Sequence, residues 1–134
     1  MNAVDTNVLL YAHDPRDPDK KRKAAALLER LEDGVLLWQV ACEYMAASRK
    51  LVPSGYDVGQ AGEDIERLQV VWTVALPTWG VLQKARNLIA THSLSFWDAL
   101  IVAASIEAGA SRLYSEDLAG RRIPGLEIVN PFAE

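Results

Sequence analysis

Four acids in this chain occupy positions where a carboxylate is hard to explain as surface decoration. Asp5 closes a short apolar run, Asn2-Ala3-Val4, and is followed by Thr6-Asn7 and a second apolar run from Val8. Glu43 interrupts a stretch that is otherwise apolar from Val40 to Ala47, and a charge in such a helix needs a partner or a metal. Asp98 shares a helical face with Ile101, Val102 and Ser105, which turns it inward. Asp117 follows the run Arg112-Leu113-Tyr114 by three residues, with Glu116 beside it as a secondary acid. Carboxylates that converge raise one another's pKa unless a cation intervenes. A donor set made of oxygen suits Mg²⁺, with Mn²⁺ able to substitute.

Each acid also has a purely structural explanation. Asp5 can cap the helix that follows it. Asp98 fits a capping box, Ser95-Phe96-Trp97-Asp98, in which the fourth residue reaches back to the cap amide. Asp117 can cap a turn at Leu118–Gly120, and Glu116 can simply be solvated. The competing chemistries have less behind them. His13 lies in a polar loop and His92 near a helix end, and neither has the spacing of a zinc ligand. Cys42, inside the apolar stretch, reads as core rather than nucleophile. No serine stands in a nucleophile-elbow pattern. The stretch Gly55–Gly62 lacks the spacing and the lysine of a phosphate loop and reads as a turn entering a helix.

The acids need elements to carry them. Residues 2–5 read as a first strand and Val8–Tyr11 as a short helical turn. His13–Pro18 is a loop whose Asp17-Pro18 pair starts a helix. Ala24, Leu27, Leu28 and Leu31 form that helix's apolar face, and Gly34 is its expected stop. A second strand is expected over 35–38 and a helix over 39–50, broken by Pro53, Ser54 and Gly55. Asp57 is placed to cap a helix with Val58, Ala61, Ile65 and Leu68 inward. The β-branched run 70–74 predicts a third strand. Pro77 opens a helix with Val81, Leu82, Ala85, Leu88 and Ile89 inward. Another helix runs over 95–108 and stops at Gly109. Strands at 112–114 and 126–129 complete the chain. Trp38 and Trp72 are expected in the core. Strands alternating with helices predict a three-layer α/β/α sandwich with a mostly parallel sheet, formed as one domain over residues 1–134. In such a sheet ligands bind at the carboxyl ends of the strands, which is where Asp5, Glu43 and Asp117 fall.

The chain has 134 residues, half of them hydrophobic, and a net charge of −4. That charge argues against a general nucleic-acid coat, which is normally basic, but not against an enzyme acting on a polyanion. Local basic groups at Lys20–Lys23, Arg49-Lys50 and Arg121-Arg122 can hold phosphates or line solvated helix faces. No apolar stretch approaches the roughly 20 residues of a membrane span. A start without a basic leader predicts no signal peptide. The single cysteine excludes an intramolecular disulfide and fits a reducing, cytoplasmic compartment.

With these features in order, the chain resembles the PIN domain family, and within it the VapC-type toxins of toxin–antitoxin pairs. The matching stretches are Val4-Asp5-Thr6-Asn7-Val8-Leu9, Glu43 in its apolar helix, Phe96-Trp97-Asp98-Ala99-Leu100-Ile101 and Leu113-Tyr114-Ser115-Glu116-Asp117-Leu118. The resemblance implies a PIN-like fold and a Mg²⁺-dependent ribonuclease whose acidic quartet is Asp5, Glu43, Asp98 and Asp117. Asp5 and Asp98 are the first choices for direct metal ligands. Glu43 and Asp117 bind a second ion, act through water, or orient the attacking water. Thr6, Asn7 and Ser115 hydrogen-bond around the ligands. The resemblance further implies an RNA substrate, a cognate antitoxin whose segment covers the site from an apolar groove near residues 39–68, and a homodimer.

Two other readings remain open on the sequence. A phosphotransfer protein, phosphatase or receiver-like, also places an Asp at a strand end. The phosphatase pattern asks for a second Asp where Asn7 stands, and the receiver pattern asks for an early acid pair and a late lysine. A non-catalytic interaction module on the same fold predicts no metal dependence.

Overall fold

The computed structural model describes residues 1–133. Five parallel strands form one sheet in the order β3-β2-β1-β4-β5: β1 is Asn2–Val4, β2 Gly34–Leu37, β3 Thr73–Ala75, β4 Arg112–Tyr114 and β5 Glu127–Val129. Six α-helices connect them: α1 Thr6–Tyr11, α2 Pro18–Arg30, α3 Trp38–Ala47, α4 Gly59–Val71, α5 Trp79–His92 and α6 Phe96–Glu107. A 3-10 stretch, Ser48–Ser54, extends α3 and ends at Gly55, whose φ of 95° suits a residue without Cβ. From β1 the chain steps outward to β2 and β3, then returns across the sheet to β4 and β5. Right-handed crossovers place α1–α4 on one face and the α5–α6 pair on the other. The expected three-layer α/β/α sandwich is therefore observed. The strand order reverses between β1 and β4, which makes the carboxyl ends of those two strands the switch point of the sheet.

The central strands are apolar because both their faces are covered. Ala3, Val4, Val35, Leu36, Leu37 and Leu113 are all buried. Helix starts follow local chemistry. Asp17 accepts a hydrogen bond from the Lys20 amide (3.1 Å), Thr78 from that of Val81 (3.2 Å) and Ser95 from that of Asp98 (3.3 Å). Behind α3 a buried cluster pins α4 in place. The Tyr44 and Tyr56 hydroxyls both donate to Asp64 Oδ2, at 2.9 and 3.1 Å, and His13 Nε2 lies 3.3 Å from the same oxygen. Burial holds the Tyr44 hydroxyl far above its ordinary pKa and pulls that of His13 down against the attraction of Asp64. His13 is thus part of a packed cluster rather than a free loop residue.

Several expectations are corrected. Helix α2 ends at Arg30, and Gly34 opens β2 instead of stopping the helix. The run 70–74 is not one strand. α4 continues through Val70 and Val71, both exposed, and β3 begins at Thr73. The helical spacing Ala61, Ile65, Leu68, Trp72 carries the pattern into this run and outweighs its β-branched composition. Asp57 accepts from the Gly59 amide (3.0 Å), but Val58, expected inward, is exposed. Trp72 is buried as expected, whereas Trp38 is 51% exposed and starts α3. Cys42 is exposed as well. The inward residues of α3 are Val40 and Tyr44, and positions two removed from Val40 point about 200° away around a helix. No single helix among the described residues is long and apolar enough to cross a membrane.

Gly34 is required by a close approach. A Cβ built there falls inside the Trp72 indole. Gly34→Ala is expected to lose about 1–3 kcal/mol of stability through overpacking, read as a lower denaturant midpoint at unchanged slope. Trp72→Phe is expected to recover part of that loss in the double variant. A Gly34→Ala midpoint equal to wild type would show that the indole yields freely.

Candidate metal and phosphodiester site

The carboxyl end of β1 delivers Asp5 into a cleft of about 200 Å³ lined by Asp5, Thr6, Asn7, Glu43, Trp97, Asp98 and Asp117, together with Leu10 and Ile101. Each acid arrives by a different route. Asp5 follows Val4 directly and serves as the N-cap of α1, with Oδ1 accepting from the Thr6 amide at 2.7 Å. Glu43 comes from the middle of α3, the helix that leaves β2. Asp98 sits in the first turn of α6. Asp117 lies just beyond β4. The cap role and the site role of Asp5 therefore coexist. For Asp98 only half of the expected capping box is formed: its amide donates to Ser95 Oγ, while among the described residues its carboxylate accepts no hydrogen bond from the Ser95 amide and lines the cleft instead.

The residues around the acids fix them. Ser115, fully buried, donates from Oγ to Asp5 Oδ2 at 2.8 Å and accepts from the Leu118 amide at 3.1 Å. That hydroxyl ties the end of β1 to the turn that carries Asp117. The Thr6 hydroxyl donates to Glu43 Oε1 at 2.9 Å. Asn7 Oδ1 accepts from the Glu116 amide at 3.5 Å. Exposure grades across the site: Asp5 is 8% exposed, Glu43 and Asp98 are half-buried, and Asp117 is exposed. Burial pushes the Asp5 carboxyl above its ordinary pKa. The Ser115 and Thr6 hydrogen bonds oppose this, while the charges of Glu43 and Asp117 add to it.

None of the four carboxylates has an ion-pair partner among the described residues, although Asp14, Asp19, Asp64, Glu116 and Glu127 all do. An unpaired acidic set facing one cleft is the donor chemistry of an oxygen-preferring divalent cation. Among the described residues no three of these side chains already stand at mutual ligation distance. An ion held here would draw the outer acids inward or reach them through water, as suits Mg²⁺, which keeps several of its waters.

Glu116, the secondary acid, faces away from this cleft. It pairs with Lys20 at 2.6 Å and accepts from the Tyr11 hydroxyl at 3.2 Å. The two neighbouring acids lie in the bend and turn after β4, where Asp117 lines the cleft and Glu116 does not. Lys20 was expected only as part of a basic group, and its pairing with Glu116 had no sequence signal, since that partner lies on a distant element. The basic groups are sorted in the same way. Arg22 and Lys23 pair with Asp19, whereas Arg49 and Lys50 have no carboxylate partner among the described residues.

The surface also carries two larger apolar concavities, the first of which shares Trp97 with the cleft. One, of about 430 Å³, is lined by Trp38, residues 73–78, Val81, Trp97, Leu100 and Ala104, among others. The other, of about 390 Å³, lies between the α1–α2 segment and α4, with Leu9, Ala12, Leu28, Leu68 and Val71 on its walls and Asp64 and Arg67 at hand. Of the helices near 39–68 expected to form an apolar groove, this concavity takes Tyr44 from α3 and Asp64, Arg67 and Leu68 from α4, and the rest of its wall comes from residues 9–29 and Val71.

The PIN domain profile matches residues 3–126. A search of curated proteins gave no match. Among solved structures, a toxin–antitoxin complex from Klebsiella pneumoniae is similar over 98% of both chains at 19% identity, with a TM-score of 0.70. VapC20 of Mycobacterium tuberculosis, described as a sarcin-ricin loop cleaving toxin, matches 91% of this chain and 97% of its own at 21% identity and a TM-score of 0.69. VapBC2 of Rickettsia felis, bound to a DNA fragment from its promoter, matches 96% and 97% at 16% identity and a TM-score of 0.65. These similarities concern the fold.

The raised pKa of Asp5 gives a signed expectation for the metal-free protein. Its contribution to stability is fully present below the ordinary value of 3.8 and is lost as pH rises through the higher folded value. Asp5→Asn is therefore expected to melt a few degrees above wild type near pH 7–8 in chelator, about what 1 kcal/mol produces in a domain of this size. The gain should shrink steadily as pH falls toward 4. A variant that melts below wild type at pH 7 would show that the Ser115 and Thr6 hydrogen bonds outweigh burial and repulsion.

Proposed function

The chain belongs to the PIN domain family, and from that premise we propose that it is a Mg²⁺-dependent ribonuclease acting as the toxin of a toxin–antitoxin pair. The observation that carries the proposal is the convergence of Asp5, Glu43, Asp98 and Asp117 on one cleft without an ion-pair partner among the described residues. The toxins and toxin–antitoxin complexes that share the fold support the same reading. A divalent cation, when bound, supplies the lowered water pKa and the charge neutralisation that phosphodiester hydrolysis requires.

The residues of the chain do the rest. Asp5 is the fixed ligand, because Ser115 and the Thr6 amide hold both of its oxygens in one orientation. Asp98 is its counterpart across the cleft, on the rigid first turn of α6. Glu43, steadied by Thr6, and the more exposed Asp117 would either complete the coordination or accept the proton of the attacking water. Asn7 holds the backbone of the turn that carries Asp117. Mn²⁺ is proposed to substitute for Mg²⁺, since both favour carboxylate and water oxygens.

Two partner surfaces belong to this proposal. Trp38, Leu76 and Trp97 are 51%, 67% and 63% exposed around the larger apolar concavity, and contiguous exposed apolar surface marks an interaction site. A second copy of the chain is proposed to cover it. The antitoxin segment is proposed to lie in the groove between α2 and α4.

With purified, partner-free protein and a structured RNA, cleavage is expected in Mg²⁺ and not in chelator. Asp5→Asn and Asp98→Asn should each lower the rate by at least roughly 100-fold, and Ser115→Ala by roughly 10–100-fold, the usual cost of losing a group that orients a ligand. Mg²⁺ should raise the melting temperature of wild type but not of Asp98→Asn. Full activity in both Asp variants would overturn the site, and a trapped acyl-phosphate on Asp5 would favour phosphotransfer instead.

The oligomer has its own check. Light scattering should give twice the chain mass for wild type and the single-chain mass for Trp38→Glu. A monomeric wild type at micromolar concentration would refute the assignment of that face.

A further inference from the structure

Beside the acid cleft lies a second hollow of about 260 Å³, which shares Asn7, Leu10 and Asp117 with the cleft as a common wall. Beyond that wall it reaches Tyr11, Arg16, Lys50 and Glu116. At this size it sits slightly below the roughly 300–1,000 Å³ typical of complete small-molecule sites, which suits one unit of a polymer already held next door.

Its charges are unevenly committed. Asp14 is bound by Arg16 through two hydrogen bonds, at 2.9 and 2.8 Å, and Glu116 by Lys20 at 2.6 Å. Lys50 and Asp117 both lack an ion-pair partner among the described residues, so the uncommitted charges in the hollow are the Lys50 ammonium and the carboxylate on the wall it shares with the acid cleft. The other neighbour of the cleft, the concavity reached past Trp97, has Glu107 in its lining and no lysine or arginine. A phosphodiester strand crossing four carboxylates is repelled wherever they are not neutralised. Of these two hollows, the one lined by Lys50 therefore offers the phosphate next to the one being cut an uncommitted cation in its own wall.

We infer that this hollow is a subsite for the nucleotide adjoining the scissile bond, with Lys50 Nζ on that nucleotide's phosphate; the inference rests on the ribonuclease reading given above. It also assigns the strand a direction across the molecule, from the Trp97 side over Asp98 and Asp5 toward Lys50. Lys50 in this role is a binding residue that touches substrate away from the reacting atoms.

The test compares Lys50→Ala and Lys50→Arg with Arg86→Ala, a control that removes the same charge from an exposed position on α5 lining neither hollow. Steady-state cleavage of a single-stranded RNA in Mg²⁺ is measured together with its binding, across several salt concentrations, in an Asp98→Asn background. Lys50→Ala is expected to raise KM roughly tenfold, as for one hydrogen bond to a charged group, with kcat unchanged. The slope of log affinity against log salt should fall by about 0.7, one single-strand phosphate contact. Lys50→Arg should recover most of both effects, and Arg86→Ala should behave as wild type. Cleavage by wild type with Lys50→Ala indistinguishable from Arg86→Ala overturns the subsite alone. Absence of cleavage in wild type overturns the ribonuclease reading, and the subsite falls with it.

Discussion

The structure depends on holding a buried carboxylate at the end of its central strand. Asp5 follows β1, which is flanked by β2 and β4, and water reaches little of its side chain. A carboxylate so placed costs free energy unless its oxygens are hydrogen-bonded. One oxygen is satisfied by the amide that begins α1 and the other by Ser115, which follows β4. Both partners are set by backbone: α1 must start at Thr6, and β4 must pair with β1 so that Tyr114 lies opposite Val4. A register slip of one residue would turn Ser115 to the opposite side and leave Asp5 oxygen-poor. The sheet register and the state of the acid are therefore a single constraint.

That constraint explains where the other acids can be. Reversal of strand order between β1 and β4 opens a crevice there. The helix after β2 and the helix before β4 both border it, so Glu43 and Asp98 reach Asp5 from opposite sides. No lysine or arginine lines the cleft, although the chain pairs many of its other acids. The folded protein carries this repulsion, and relief comes from whatever cation or polar ligand enters. Under the proposed function, that repulsion is the stability cost of keeping the four acids together.

How much of this could be read in the sequence depended on the range of the interaction. The helix starts at Asp17-Pro18 and Ser95 are local chemistry, whereas the helix expected to open at Pro77 begins at Trp79 with Thr78 as its cap. The acids were legible because Asp5 stands at a strand end, Asp98 in the first turn of a helix and Asp117 just past a strand, while Glu43 is a lone charge in an apolar helix. Val70-Val71 misled because β-branched composition is a weaker signal than the helical spacing that runs through Leu68 to Trp72. Cys42 and Trp38 misled because an apolar helix hides which of its faces is inward, and the rotation of α3 is fixed by contacts to other elements, Tyr44 with Asp64 and Glu43 with Thr6. Glu116 with Lys20, and His13 with Asp64, join elements far apart in the chain, and nothing in either local stretch announces the partner.

The gradient of burial across the four acids bears on how such a site can work without being prebuilt. A cleft in which all four carboxylates were as buried and fixed as Asp5 would carry the full like-charge cost at all times. One in which all four were as exposed as Asp117 would pay the ordering cost on binding and lose orientation. The observed order places the rigid acid deepest, on the strand, where register holds it. Glu43 and Asp98 stand on helices, half-buried, with fewer constraints. The freest acid is at the lip, on a turn anchored through Ser115 and Asn7. Repulsion is relaxed by letting the outer carboxylates stand apart, and the hydrogen bonds on Asp5 keep a reference point to which they can return. Orientation is thus concentrated in one residue and adaptability in the other three, which is a physical reason for the acids to come from four separate elements.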